Sequence, residues 1–94
     1  TFMTGRQLLE FCTNTDTASM DRGLCTGYLA GLADGAATLR HWRRAAPGFC
    51  VPEDASPFDL RQEFLRYAQE HAEGWEGSAA GLGLNAFRRA YPCP

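Results

Sequence analysis

The chain has 94 residues, 45% of them hydrophobic, which suffices for one domain (1–94) with a single small core and excludes a disordered segment. Its net charge of −2 argues against nucleic acid as a partner. The longest apolar stretch, Leu24 to Ala33, stops at Asp34 and falls short of a membrane span, so no membrane insertion is expected.

Thr4 and Gln7 form a capping-box pair, with Met3 and Leu8 placed as a hydrophobic staple. They predict a first helix over 5–12 with Leu8, Leu9 and Cys12 facing inward. The polar, turn-rich TNTDTAS (13–19) reads as a loop. A second helix is predicted over 21–44, with Arg43 and Arg44 in a last turn where cations complement the helix dipole. Pro47-Gly48 follows as a break. Ser56-Pro57-Phe58-Asp59 marks a third start, with Ser as N-cap and Pro at the first helical position. Leu60, Phe64, Tyr67 and Ala68 then recur at helical spacing over 57–73. A fourth helix is predicted over 78–91, turning Leu84, Phe87 and Tyr91 inward and closing at Pro92. No period-2 alternation of useful length occurs, so the fold class is all-α, a small disulfide-bonded bundle of about four helices.

The 4 cysteines Cys12, Cys25, Cys50 and Cys93 include no C-x-x-C pair, and the only histidines are His41 and His71. Zinc sites use closely spaced ligand pairs, so no metal site is expected, and no cofactor motif is present. An even cysteine count in a short chain reads as a disulfide framework, which implies an oxidising compartment such as the bacterial periplasm. The chain opens directly on a capped helix, as a form without its signal peptide would. Sequence leaves three connectivities open. In an antiparallel bundle the end of helix 1 lies beside the start of helix 2, and the start of helix 3 beside the end of helix 4. That geometry favours Cys12–Cys25 and Cys50–Cys93, which by loop-closure entropy would contribute about 3 and about 4 kcal/mol.

Helix 2 carries Gly23, Gly27, Gly31 and Gly35 at four-residue steps. Each glycine costs about 1 kcal/mol against alanine in a helix interior, so the ladder needs a reason. Four-residue steps advance by about 40° around a helix, so the ladder winds slowly from one face toward another. Leu24, Cys25, Tyr28, Leu29, Leu32, Ala36, Leu39 and Trp42 share the opposite, core-facing side. Two packing faces result, one bulky and one made of small residues. Close approach of another helix, from the same chain or a second copy, is expected at Gly27, Gly31 and Asp34. On that basis Gly31→Leu should break the domain and Gly23→Ala should be tolerated. Asp34 either contacts a partner there or, as buried carboxylates usually are, is paired within the fold.

Catalysis needs a nucleophile with a base, or an acid–base pair, converging in a cleft. His41 lies almost two helical turns from Asp34, and His71 sits at a helix end where the dipole favours it. Neither makes a catalytic set, and the chain reads as a non-enzyme. QEHAEGWEG (69–77) offers a binding element instead, with Trp75 among Glu70, Glu73 and Glu76 and between Gly74 and Gly77. Tryptophan is enriched at binding hot spots, and such an acidic loop could plug a basic cleft; equally, Trp75 could fold back and seal the bundle. The Arg40–Arg44 cluster is a second possible contact patch, or a solvated helix end with Trp42 packed inward.

The pattern Cys25-x-Gly27-Tyr28-x-x-Gly31-x-x-Asp34 resembles the central helix of the Rap/Tai immunity proteins of type VI secretion. Phe2-x-Thr4-Gly5-x-x-Leu8-Leu9-x-x-Cys12, Phe49-Cys50-Val51-Pro52 and Ala86-Phe87 through Tyr91-Pro92-Cys93 match that family in order and spacing. The resemblance implies a small, periplasmic, disulfide-bearing helical protein, usually homodimeric, that binds and blocks a peptidoglycan-cleaving amidase effector delivered by sibling cells. Glu70, Glu73, Trp75 and Glu76 are then the expected effector contacts. Two departures stand out: His71-Ala72-Glu73 where members commonly carry proline, and Gly81 and Gly83 where larger residues are usual. A small dimeric periplasmic acid-stress chaperone is the alternative, and a structural helical module of an envelope assembly a third.

Overall fold

The computed structural model describes residues 1–15 and 19–94, so part of the loop expected over 13–19 lies outside the described residues. Helix α1 spans Gly5–Thr13, α2 Met20–His41, α3 Pro57–Glu70 and α4 Ala79–Ala90, with a 3-10 turn at Ala72–Gly74. The β-type pairing among the described residues is one isolated bridge between Thr4 and Ser78, so the bundle has no sheet.

Local chemistry sets the starts. At α1, Thr4 Oγ1 accepts the Gln7 N–H at 3.2 Å while the Thr4 N–H donates to Gln7 Oε1 at 2.9 Å. The same reciprocal box opens α3: the Asp59 N–H donates to Ser56 Oγ at 3.1 Å and the Ser56 N–H to Asp59 Oδ2 at 2.9 Å. Ser19 and Ser78 cap α2 and α4 by accepting the N–H groups of Asp21 and Gly81. Each cap satisfies donors that the first helical turn leaves without partners.

The ends depart from the predicted bounds. α2 stops at His41 rather than 44, because Arg43 takes φ 59°. The Arg43 and Arg44 N–H groups then turn back to Arg40 O at 3.0 Å and Leu39 O at 2.9 Å. That is a Schellman closure with arginine where glycine is usual. α3 ends at Glu70 instead of 73, since His71 (φ −129°, ψ 61°) leaves helical space and the 3-10 turn follows.

Leu8, Leu29, Phe64 and Phe87 are wholly buried at the centre, with Leu60, Ala68, Leu82 and Phe49 around them. Burial of each large side chain contributes about 1.5–3 kcal/mol. Both disulfides join the pairs that the antiparallel geometry favours. Cys12–Cys25, with Cα atoms 5.0 Å apart, ties the end of α1 to α2, and Cys50–Cys93, at 4.9 Å, ties the 42–56 connection to the C-terminus.

The core-facing stripe of α2 is buried only in part. Cys25, Leu29 and Ala36 are inside and Tyr28 is half-buried, but Leu24, Leu39 and Trp42 are 43%, 42% and 63% exposed. Leu24 and Trp42 lie at the edge of the stripe, and at 1.5 Å per residue α2 runs about 33 Å against about 21 Å for α3 and about 18 Å for α4, so the shorter helices do not cover its whole length.

Of the two neighbours expected at the glycine ladder, a helix of the same chain is not found. A methyl group added at Gly23, Gly27, Gly31 or Gly35 would meet nothing within 4 Å, so no helix of this chain sits against them among the described residues. Close approach occurs elsewhere. Gly83 of α4 receives α2, where an added Cβ would lie 2.7 Å from Leu32 Cδ2. Gly5 of α1 receives the 74–75 backbone, with Gly74 O at 2.9 Å and Trp75 Cα at 3.2 Å from such a Cβ.

Candidate partner-binding surfaces

The acidic end of the bundle is built where α3, the 3-10 turn and the start of α4 meet the N-terminus of α1. Backbone bonds fasten it: the Gly5 N–H donates to Gly77 O, the Arg6 N–H to Trp75 O and the Ala79 N–H to Met3 O, at 2.8–2.9 Å. Trp75 does not project as a tip. Its ring is half-buried, its indole N–H donates to Ala68 O at 2.7 Å, and Arg6 lies over it at 5.3 Å.

The carboxylates around that ring face solvent. Glu76 is paired with Arg6, and Glu70 with Arg89 at 2.5 Å. The hydrogen bond and charge of Arg89 hold the Glu70 carboxyl below the usual range. Glu73 is exposed and has no ion pair among the described residues. Behind them His71 stacks on Tyr67 with ring centres 3.9 Å apart and its Nδ1 2.9 Å from Tyr67 O, which occupies it structurally. The result is a rigid platform with an exposed acidic rim.

The second surface is the outer face of α2. Gly27, Gly31 and Asp34 are all exposed there. Asp34 is not the buried, paired carboxylate that its neighbours' size suggested: it is exposed, and its carboxylate has no hydrogen-bond or ion-pair partner among the described residues. Around one edge runs an apolar groove of about 610 Å³, floored by Gly31 and Gly35 and walled by Leu39, Trp42 and Leu84. Trp42 therefore lines this groove instead of packing inward. The 45–47 segment forms its rim, held where Arg88 Nε donates to Pro47 O at 2.7 Å. Arg40, His41, Arg43 and Arg44 are exposed along the same end, so the groove has a basic border.

Sequence reasoning passed over Arg61. Its signal was its register, since Arg61, Phe64, Leu65 and Ala68 lie at the spacing of one buried helix face. It is 6% exposed, the one buried charged side chain among the described residues.

No group of three or more histidine, cysteine, aspartate or glutamate side chains able to hold a metal ion occurs among the described residues. No described helix is long and apolar enough to cross a membrane. No curated protein and no solved structure matches the chain. The family model described as Rap1a immunity proteins matches residues 4–93, a span that takes in all four helices and all four cysteines. With that match from the first helix cap to the last cysteine, the chain belongs to the Rap1a immunity proteins.

Proposed function

We propose that this chain, acting as one domain in the periplasm, is a non-enzymatic inhibitor that binds and occludes a peptidoglycan-cleaving amidase effector of type VI secretion. The observation that carries the proposal is the family match over residues 4–93. The acidic end supports an effector contact through Glu70, Glu73, Trp75 and Glu76. Its carboxylates are exposed while its backbone is fixed, so little ordering entropy would be lost on entering a basic cleft. Trp75 acts there as the half-buried support of the platform. A homodimer paired through Gly27, Gly31 and Asp34 completes the proposal, since the open glycine face admits a second α2 at short distance.

Co-expression with a periplasm-targeted amidase encoded beside this gene tests the function. The expected result is rescue from lysis and a complex on gel filtration, both weakened when Glu73 and Glu76 are changed to glutamine. Absence of complex and rescue across all adjacent amidases rejects it. Sedimentation of Gly31→Leu tests the dimer: a folded monomer is expected, and an unchanged dimer rejects that interface.

A further inference from the structure

Arg61 lies one residue after Leu60 on α3 and shares the buried side of that helix with Phe64 and Ala68. Its Nε is wholly buried and has no hydrogen-bond partner. Burial, then the nearby positive charge of Arg22, pushes its pKa down. Both guanidinium groups lie beside the Phe58 ring, Arg22 at 5.4 Å and Arg61 at 6.0 Å from its centre. That ring is 48% exposed, so it forms an outer wall of the pair rather than a core side chain.

The carboxylates that could neutralise the pair are engaged elsewhere. Asp21, the neighbour of Arg22, accepts from Asn14 Nδ2 at 3.3 Å. Asp59 accepts from the Ser56 N–H, and Glu63 pairs with Arg66 at 2.9 Å. Neither Arg22 nor Arg61 has an ion pair among the described residues. Packing alone does not call for a guanidinium at position 61, because a leucine or methionine would fill the same apolar face without a buried, unpartnered donor. Two guanidinium groups beside one ring, the charge of Arg22 acting on Arg61, repel, and a planar anion with two oxygens is the group that forked donors match best.

We infer that Arg22 and Arg61, with Phe58 as the outer wall, form a carboxylate-binding site at the junction of α2 and α3. The carboxylate comes either from solution or from an acidic side chain of a partner protein. The site is separate from the acidic end and from the α2 groove, and does not depend on the function proposed above.

Nitrogen-edited spectra of the arginine Nε–Hε groups, recorded on the disulfide-intact protein, test it. The probes are acetate, its neutral counterpart acetamide, and a blocked diglutamyl peptide. A saturable shift of the Arg61 resonance with acetate or the peptide, none with acetamide, and about tenfold weaker binding in Arg22→Gln are expected. Saturation by acetate at concentrations comparable to the peptide assigns the site to solution carboxylates; saturation by the peptide alone assigns it to a protein side chain. Arg22→Gln changes a partly exposed side chain, and its fold is checked by circular dichroism. No shift with either probe, an equal shift with acetamide, or unaltered affinity in Arg22→Gln overturns the inference. So does Asp16→Asn if, without any probe, it moves the Arg61 resonance as far as saturation does, because the carboxylate would then be the chain's own.

Discussion

Alanine at Gly5 and alanine at Gly31 are expected to move stability in opposite directions. In Gly5→Ala the new methyl would lie 2.8 Å from Leu82 Cδ2, 2.9 Å from Gly74 O and 3.2 Å from Trp75 Cα. The leucine methyl can swing away, but the other two atoms are backbone, and the Gly5-to-Gly77 and Arg6-to-Trp75 hydrogen bonds hold them there. Overpacking of this kind costs about 1–3 kcal/mol, and a first-turn position recovers only part of the helix-propensity gain of about 1 kcal/mol. A net loss of about 1–2 kcal/mol follows, or roughly 4–16 °C in Tm for a domain of this size. Gly31→Ala meets nothing within 4 Å and keeps the propensity gain of up to about 1 kcal/mol, a rise of about 4–8 °C in the monomer. Thermal melts followed at 222 nm, with the disulfides intact and over a range of protein concentrations, measure both. A fall in Tm for Gly31→Ala that is independent of concentration would mean the chain fills its own glycine face, and would refute the packing argument. A fall that grows with concentration instead locates that face in a dimer.

Under graded dithiol reduction Cys50–Cys93 should open before Cys12–Cys25, because Cys93 is exposed whereas Cys12 and Cys25 are both 0% exposed. Alkylation and peptide mapping give the order, and the Cys50→Ser/Cys93→Ser variant should lose up to about 4 kcal/mol in denaturant titrations. Arg43→Gly should stabilise by about 1 kcal/mol, since a left-handed backbone at φ 59° strains any residue with a Cβ; an unchanged midpoint in urea contradicts this. Burial, followed by the charges of Glu63 and Asp59, raises the Tyr91 phenol above its ordinary value. Its contribution is therefore full at neutral pH and declines as pH climbs past about 10, where the unfolded phenol ionises first. Tyr91→Phe should flatten that alkaline decline in a stability–pH profile, and an identical slope counts against it.

The parts of the fold that were legible in the sequence are those fixed by contacts a few residues apart. Thr4 with Gln7 and Ser56 with Asp59 close their capping boxes within one turn, so no distant atom can overrule them. The disulfide pairs followed from antiparallel order alone. Helical periodicity located the inner face of α2 but carries no record of how far its neighbours extend. Leu39 and Trp42 therefore fall within the same predicted stripe as Leu29 and Ala36 and lack their burial. The acidic loop posed a related problem. Gly74 and Gly77 permit both a protruding and a tucked Trp75, and the choice was made by Ala68 O, the acceptor for the indole N–H seven residues away.

The glycines separate two meanings that spacing alone merges. A four-residue ladder permits close approach along one helix face, but whether anything approaches depends on where the other elements run. Here α4 crosses α2 with its own glycine, Gly83, set against the long side chain of Leu32, so the small residue sits on the shorter helix and the bulky one on the longer. That choice leaves the α2 ladder outward and bordered by exposed Leu39 and Trp42. A helix bearing glycines on an open face gives up helix propensity and gains nothing in return from its own chain. The same reasoning applies to Arg61, whose charged group no described residue neutralises where an apolar side chain would pack as well. Both features weaken the isolated chain, and proteins accept such losses mainly where binding depends on them. The two stand on different parts of α2, the ladder on its outer face and Arg22 in its first turn, so partners acting on them can be separated by single substitutions.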